Sequence, residues 1–197
     1  MRYTLTTSVN YLQEIKHSRF LVHANTINTV DQALEFIRHI SAPDATHNCW
    51  AYRCGAQYRF NDAGEPAGTA GRPILSAIDG QDYDQVVVVV SRWFGGIKLG
   101  AGGLVRAYGG VAAQCLRTAE RKPLIPTQQL YLACPFALVS SVYLYLAQYE
   151  ATKLDEQFNE HGVQLHVECP LPQVEALQTR LRDVSAGKVR WLDSLSS

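Results

Sequence analysis

Five consecutive valines, Val86 to Val90, constrain this chain more than any other segment. A strand with one wet face alternates apolar and polar residues, so a run with no polar position needs cover on both faces. Val86–Val90 is therefore expected to be a fully buried strand. It is also the longest unbroken aliphatic run, far short of the ~20 apolar residues that a membrane-spanning helix needs. Residues Ala137 to Ala147 are apolar but carry Ser140 and Ser141, and read as a buried helix. The N-terminus, Met-Arg-Tyr-Thr-Leu-Thr-Thr, has no hydrophobic signal core. The expectation is a cytoplasmic protein with no membrane partner.

Periodicity fills in the rest. Extended segments are expected over Tyr3–Val9 and Arg19–Ala24. Thr29-Val30-Asp31-Gln32 fits a capping box with Thr29 as N-cap, and Val30, Ala33, Leu34, Ile37 and Ile40 form the stripe of the helix that follows. Pro43 stops it. Strands at Cys49–Cys54 and Gln57–Phe60 flank a turn at Gly55. A short helix starts near Pro73, and a long one after Gly103 buries Leu104, Ala107, Tyr108, Val111, Cys115 and Leu116. Gly109 and Gly110 lie inside that helix, each costing about 1 kcal/mol relative to alanine. Close packing against another element is the expected compensation.

Arg121-Lys122-Pro123-Leu124-Ile125-Pro126 reads as a short, stiff linker. It divides the chain into domains 1–122 and 123–197. In the second, strands and helices follow in the order βαββαβ, the ferredoxin-like split βαβ arrangement. Val163, Leu165, Val167 and Cys169 alternate there with Gln164, His166 and Glu168, giving a strand with one wet face. Those polar residues are not the base-stacking aromatics of an RNA-recognition motif, which argues against that mode.

Two segments have the composition of a binding surface. In Asp62-Ala63-Gly64-Glu65-Pro66-Ala67-Gly68-Thr69-Ala70-Gly71-Arg72-Pro73, glycines and a hydroxyl sit beside an arginine directly before a helix start. Backbone N–H groups at a helix N-terminus attract an anion, and Thr69 and Arg72 add donors. Asp62 and Glu65 suit holding a cation, orienting an arginine, or acting as an acid/base pair. The competing reading is an ordered loop whose carboxylates cap backbone amides. The second segment, Arg92-Trp93-Phe94-Gly95-Gly96-Ile97-Lys98-Leu99-Gly100-Ala101-Gly102-Gly103-Leu104, joins the buried strand to the long helix. That strand–glycine loop–helix context suits an anion cradle, although no Gly-Lys-Ser or Gly-Lys-Thr is present. Trp93 and Phe94 are candidates for stacking on a base or for the core.

Net charge is zero but unevenly placed. Residues 1–122 hold 13 Lys and Arg against 10 Asp and Glu, whereas residues 123–197 hold 5 against 8. From Gln85 to Ala119 no acid occurs, while Arg92, Lys98, Arg106 and Arg117 do. Such a single-sign stretch favours an anionic partner.

Catalytic and metal chemistry find little support. No Gly-x-Ser-x-Gly elbow marks a nucleophile. The five cysteines, Cys49, Cys54, Cys115, Cys134 and Cys169, are odd in number and widely spaced. They predict free thiols rather than a disulfide framework. His47 and Cys49 are too few for a zinc site. No catalytic residue, metal or cofactor is expected.

The run Asp62–Pro73, followed by Val87–Gly100 and then by Gly102-Gly103-Leu104-Val105-Arg106-Ala107-Tyr108, resembles the signature of the IMPACT/YigZ family. Residues 1–122 are similar to the IMPACT domain, and residues 123–197 to the accessory domain of bacterial members. The resemblance implies an α+β protein. Its N-terminal α/β domain would resemble domain 2 of a small-subunit ribosomal protein. Its C-terminal ferredoxin-like βαββαβ domain would resemble domain V of elongation factor G. Both likenesses point to RNA or the ribosome. Eukaryotic relatives restrain a translation-controlling kinase by competing for its activator protein. This chain lacks their extra N-terminal interaction domain, so that role is not carried over. The candidate anion- or nucleic-acid-binding positions are His47, Asp62, Glu65, Thr69, Arg72, Arg92, Lys98 and Arg106. The leading expectation is a translation-related binding protein for RNA, the ribosome or another anionic partner. An enzyme for a small nucleotide or phosphorylated ligand and a protein–protein adaptor are the alternatives.

Overall fold

The computed structural model describes residues 1–194. The chain divides into two compact units, Met1–Leu124 and Ile125–Ser197.

In the first unit the valine run occupies the centre of a five-stranded sheet. The strands are β2 (Val9–Ile15), β3 (Ser18–Thr26), β4 (His47–Cys54), β5 (Gln57–Asn61) and β6 (Val86–Trp93). Their order is β2-β3-β6-β4-β5, and every pairing is antiparallel. All five valines are fully buried. Val86, Val88 and Val90 share a core with α2 (Gly71–Gly80) and α3 (Ala101–Thr118), whereas Val87 and Val89 pack with Ala33 and Ile37 of α1 (Val30–Ile40). Helices thus cover both faces of β6. Each buried valine contributes about 1.5–3 kcal/mol relative to an exposed one.

Thr29 caps α1 as expected, but the return contact of Gln32 goes to Asn28, the residue before the cap, rather than to Thr29. Thr29 Oγ1 accepts from the Gln32 N–H at 3.2 Å, and the Gln32 side chain reaches back to the Asn28 N–H at 2.7 Å. Two sequence expectations need correction. Tyr3–Val9 is not one extended segment: β1 covers only Tyr3–Leu5, and β2 begins at Val9. The supposed linker is also partly structured, because Arg121–Pro123 forms β7, which pairs antiparallel with β1. Arg121 lies over the Tyr3 ring at 4.1 Å, closing the unit's two ends on one another.

In the second unit, β8 (Thr127–Cys134), α4 (Val139–Gln148), β9 (Thr152–Asn159), β10 (Gly162–Pro170), α5 (Val174–Val184) and β11 (Arg190–Leu192) follow in the order βαββαβ. The sheet is antiparallel with strand order β11-β8-β10-β9. Leu130, Leu132, Val163, Leu165 and Val167 pack with Val142 and Leu146 of α4 and Leu177 and Leu181 of α5. The residues between them on β8 and β10 point to the opposite face, as the period of two requires. That face does carry aromatic character, contrary to the sequence expectation. Tyr131 and His166 are register partners and stack with ring centroids 4.3 Å apart. Tyr131 escaped notice because only its buried neighbours defined the strand's apolar pattern. No described helix is long and apolar enough to cross a membrane.

Candidate functional site

The first glycine segment is built around Asp62, which follows β5 directly. Its Oδ1 accepts from the N–H groups of Ala70 and Gly71 at 2.9 and 2.8 Å, and its Oδ2 from Gly68 at 2.8 Å. Burial alone would push this carboxyl up. The three backbone donors outweigh that and hold it below its usual value. Asp62 therefore supplies the anion at the N-terminus of α2, and no external anion is needed there. Gly71 also has no room for a side chain. A Cβ at that position would lie 2.7 Å from the Asn61 backbone. Thr69 is likewise committed: it is buried, and its hydroxyl donates to the Pro66 carbonyl at 2.6 Å.

Glu65 ties this loop to both flanks of the second glycine segment. It is buried, and its Oε1 accepts from Arg92 Nη1 at 2.5 Å and from the Tyr108 hydroxyl at 2.8 Å. Arg92 closes β6 ahead of the second loop, and Tyr108 lies on α3 beyond it. Arg92 Nη2 also donates to Ser18 Oγ at 3.3 Å, and the guanidinium lies between the rings of Phe20 and Phe94, at 5.5 and 5.7 Å. His47 is half-buried; its Nδ1 donates to the Ala63 carbonyl at 2.9 Å, and its Nε2 is 3.9 Å from Glu65 Oε2. Cys49 donates to the Asp62 carbonyl at 3.0 Å, and burial pushes its thiol up to about 12. Burial also pushes the Tyr108 hydroxyl up, so it stays a hydrogen-bond donor.

These contacts change the roles expected for several residues. Arg92 is not a surface cation for phosphate, because it is only 5% exposed and its charge faces Glu65. Asp62 and Glu65 do not form an acid/base pair: one carboxylate caps a helix, and the other neutralises a buried guanidinium. The sequence could not announce the pairing, since Glu65 and Arg92 are 27 residues apart. Tyr108 and Ser18 were missed as members of this network. Tyr108 fitted the apolar stripe of α3, and nothing local distinguished Ser18.

What remains open lies around the start of α3. Its N-cap is Gly100, at φ 71°, and no side chain caps the helix. The first amides of a helix have no intrahelical acceptor, and they carry the positive end of its dipole. Lys98, just before α3, and Arg106, in its second turn, are exposed. Arg72 is exposed as well, on the first turn of α2. No described acid pairs with any of the three. Arg72 lines a groove of about 400 Å³ with Gly68, Pro73, Val105 and Gly109, between α2 and α3. Phe94 and Ile97 stand exposed on the loop ahead of α3. Trp93 is held instead: its Nε1 donates to Asp44 at 2.9 Å, and Arg19 lies over its ring at 4.0 Å.

Residues 16–116 match the Impact N-terminal domain, and residues 132–188 match the Domain of unknown function (DUF1949). The chain belongs to the IMPACT family. It is 35% identical over 191 residues to the Escherichia coli IMPACT family member YigZ, covering 93% of each chain. It is 46% identical over 156 residues to the Thermus thermophilus IMPACT family member in pol 5'region, covering 79% of this chain and 86% of that one. A solved crystal structure of a hypothetical protein matches it with a TM-score of 0.79 at 33% identity, over 100% of this chain and 98% of the other. The IMPACT-family signature thus maps onto the Asp62-capped loop, the buried Glu65–Arg92 pair and the open start of α3.

Proposed function

We propose that this IMPACT-family chain is a translation-related regulatory protein that binds RNA through its first unit. The contact surface is the start of α3 with Lys98, Arg106 and Arg72, which take backbone phosphates. One observation carries this reading: the helix start next door, that of α2, already holds the Asp62 carboxylate, whereas that of α3 has no side-chain cap and is flanked by cations with no ion-pair partner among the described residues. Backbone amides and arginines are the groups that position phosphates, and they do so without reading sequence. Exposed Phe94 offers a ring for stacking beside them. The buried Glu65–Arg92–Tyr108 network acts as the scaffold that fixes both glycine loops, and reacts with nothing.

The test is the combined variant Arg72→Ala/Lys98→Ala/Arg106→Ala in filter binding to single- and double-stranded RNA. Loss of affinity across unrelated sequences supports the surface. Unchanged RNA affinity, together with a nuclease-resistant protein partner in pull-downs, would favour an adaptor instead.

A further inference from the structure

The second unit carries a separate concavity that the surface proposed above does not use. It encloses about 230 Å³ where the turn after β8, the β9–β10 turn and the entry to β11 meet. Lys188, Arg190 and His161 line it together with the amides Asn159 and Gln164, and no carboxylate side chain is among its described lining residues. Lys188 and Arg190 are exposed, and neither has an ion-pair partner among the described residues. His161 has Glu160 at 3.3 Å, outside the lining. Residues 123–197 hold only 5 Lys and Arg against 8 Asp and Glu. Placing two of those five in a hollow whose described lining holds no carboxylate makes a positive spot on a negative domain.

Its geometry is tightly set. Asn159 Oδ1 accepts from the His161 and Gly162 N–H groups at 2.9 and 3.1 Å, fixing the turn. Gly162 lies so close to the Cys134 carbonyl that a Cβ would sit 2.1 Å from it. Part of the lining, Ala133, Gln164 and Arg190, alternates with core residues and so lies on the sheet face away from α4 and α5. Arg190 is the register partner of Ala133 there, and Gln164 faces Ala133 from β10. Two residues further along those same strands, about 7 Å at the rise of a strand, lies the half-exposed Tyr131–His166 stack. The carboxylates of this face come at the stack or beyond it: Asp155 is the register partner of His166, and Glu168 accepts from Thr127 at 2.9 Å. Apart from Glu160 beside His161, the side-chain charges are thus positive at the hollow and negative at and past the rings.

We propose that this hollow and ring pair form a nucleotide site for single-stranded RNA. A phosphate enters between Lys188 and Arg190, and the attached base stacks against the Tyr131–His166 pair. Two central, neighbouring strands supply the rings, and stacking on them tolerates any base. The site stands independently of the α3 surface, because none of its residues belongs to the first unit.

The experiment titrates the full chain with three probes: inorganic phosphate, uridine 5′-monophosphate and a 5′-phosphorylated tetrauridylate. Binding is followed by the ring signals of Tyr131 and His166 in NMR spectra. The tetranucleotide and the mononucleotide should shift both rings, and phosphate alone should shift the Lys188 and Arg190 signals without the rings. Tyr131→Ala should weaken the tetranucleotide about tenfold. Lys188→Ala/Arg190→Ala should lower the slope of log affinity against log salt by up to about 1.4. Arg72→Ala/Lys98→Ala/Arg106→Ala should leave these ring shifts unchanged, which separates this site from the first. Ring signals that stay fixed with every probe, or a tetranucleotide affinity untouched in both second-unit variants, overturn the proposal. Ring shifts with the mononucleotide but not the tetranucleotide overturn it in favour of a small-ligand site.

Discussion

Glu65 Oε1 and Arg92 Nη1 lie 2.5 Å apart, with both side chains almost wholly withdrawn from solvent. A buried ion pair adds little net stability, because removing both charges from water offsets their attraction. Breaking it is different, since one charge is then stranded. Arg92 Nε already lacks a partner among the described residues, so the guanidinium has little to fall back on. Glu65→Ala should therefore cost about 3–5 kcal/mol. The double change Glu65→Leu/Arg92→Met should recover most of that loss. Urea unfolding of the single and double variants checks both expectations.

Asp62 makes a pH prediction whose sign is fixed by its backbone donors. Its carboxyl is held below the usual value in the folded chain. The resulting stability is present above the ordinary carboxylate range and is lost as pH falls through the lowered folded value. Asp62→Asn should therefore be less stable than the parent at neutral pH, with the gap closing in acid. Thermal unfolding of the two proteins across the acid range measures this. A constant gap would mean that the charge of Asp62 is irrelevant to the cap.

The glycines separate into two kinds, and their alanine variants should move stability in opposite directions. A Cβ at Gly95 would lie 1.9 Å from the His17 carbonyl, so Gly95→Ala must displace either the second glycine loop or the β2–β3 turn. At Gly110, inside α3, a Cβ would meet nothing within 4 Å. Gly110→Ala should stabilise the first unit by about 1 kcal/mol. Close packing was expected to account for Gly109 and Gly110. A Cβ at Gly109 would come into ordinary contact with Pro73 of α2, at 3.5 Å, so α3 packs closely there, whereas a Cβ at Gly110 would enter open space.

The thiols should fall into two reactivity classes. Burial pushes both Cys49 and Cys115 up to about 12, and neither is accessible. Cys54 is free and partly exposed. Alkylation at mildly alkaline pH followed by peptide mass mapping should label Cys54 first, with Cys49 and Cys115 labelled only on unfolding.

The architecture was legible wherever a pattern was local. Val86–Val90 announced a strand covered on both faces, because five β-branched residues in so short a run favour extended backbone and leave no polar face. Thr29 and Gln32 announced the start of α1, since both capping contacts fall within one turn. The site was legible in place and only partly in role. A carboxylate capping backbone amides was among the readings of the first glycine segment, and Asp62 does this with amides six to nine residues ahead. Arg92 chooses an acid in another loop, so composition read it as a surface cation. Tyr3–Leu5 and Arg121–Pro123 pair across the length of the unit, and three-residue strands carry too little periodicity to be seen. Lys98, Arg106 and Arg72 are exposed as expected, and none has an ion-pair partner among the described residues.

The salt dependence of RNA binding, compared between the parent chain and Arg72→Ala/Lys98→Ala/Arg106→Ala, tests the proposed surface most directly. Each phosphate contact on a single strand contributes about 0.7 to the slope of log affinity against log salt concentration. The three substitutions should therefore lower the slope by about two units and weaken binding at low salt. An identical slope and affinity in the two proteins would contradict the assignment of these cations to phosphate.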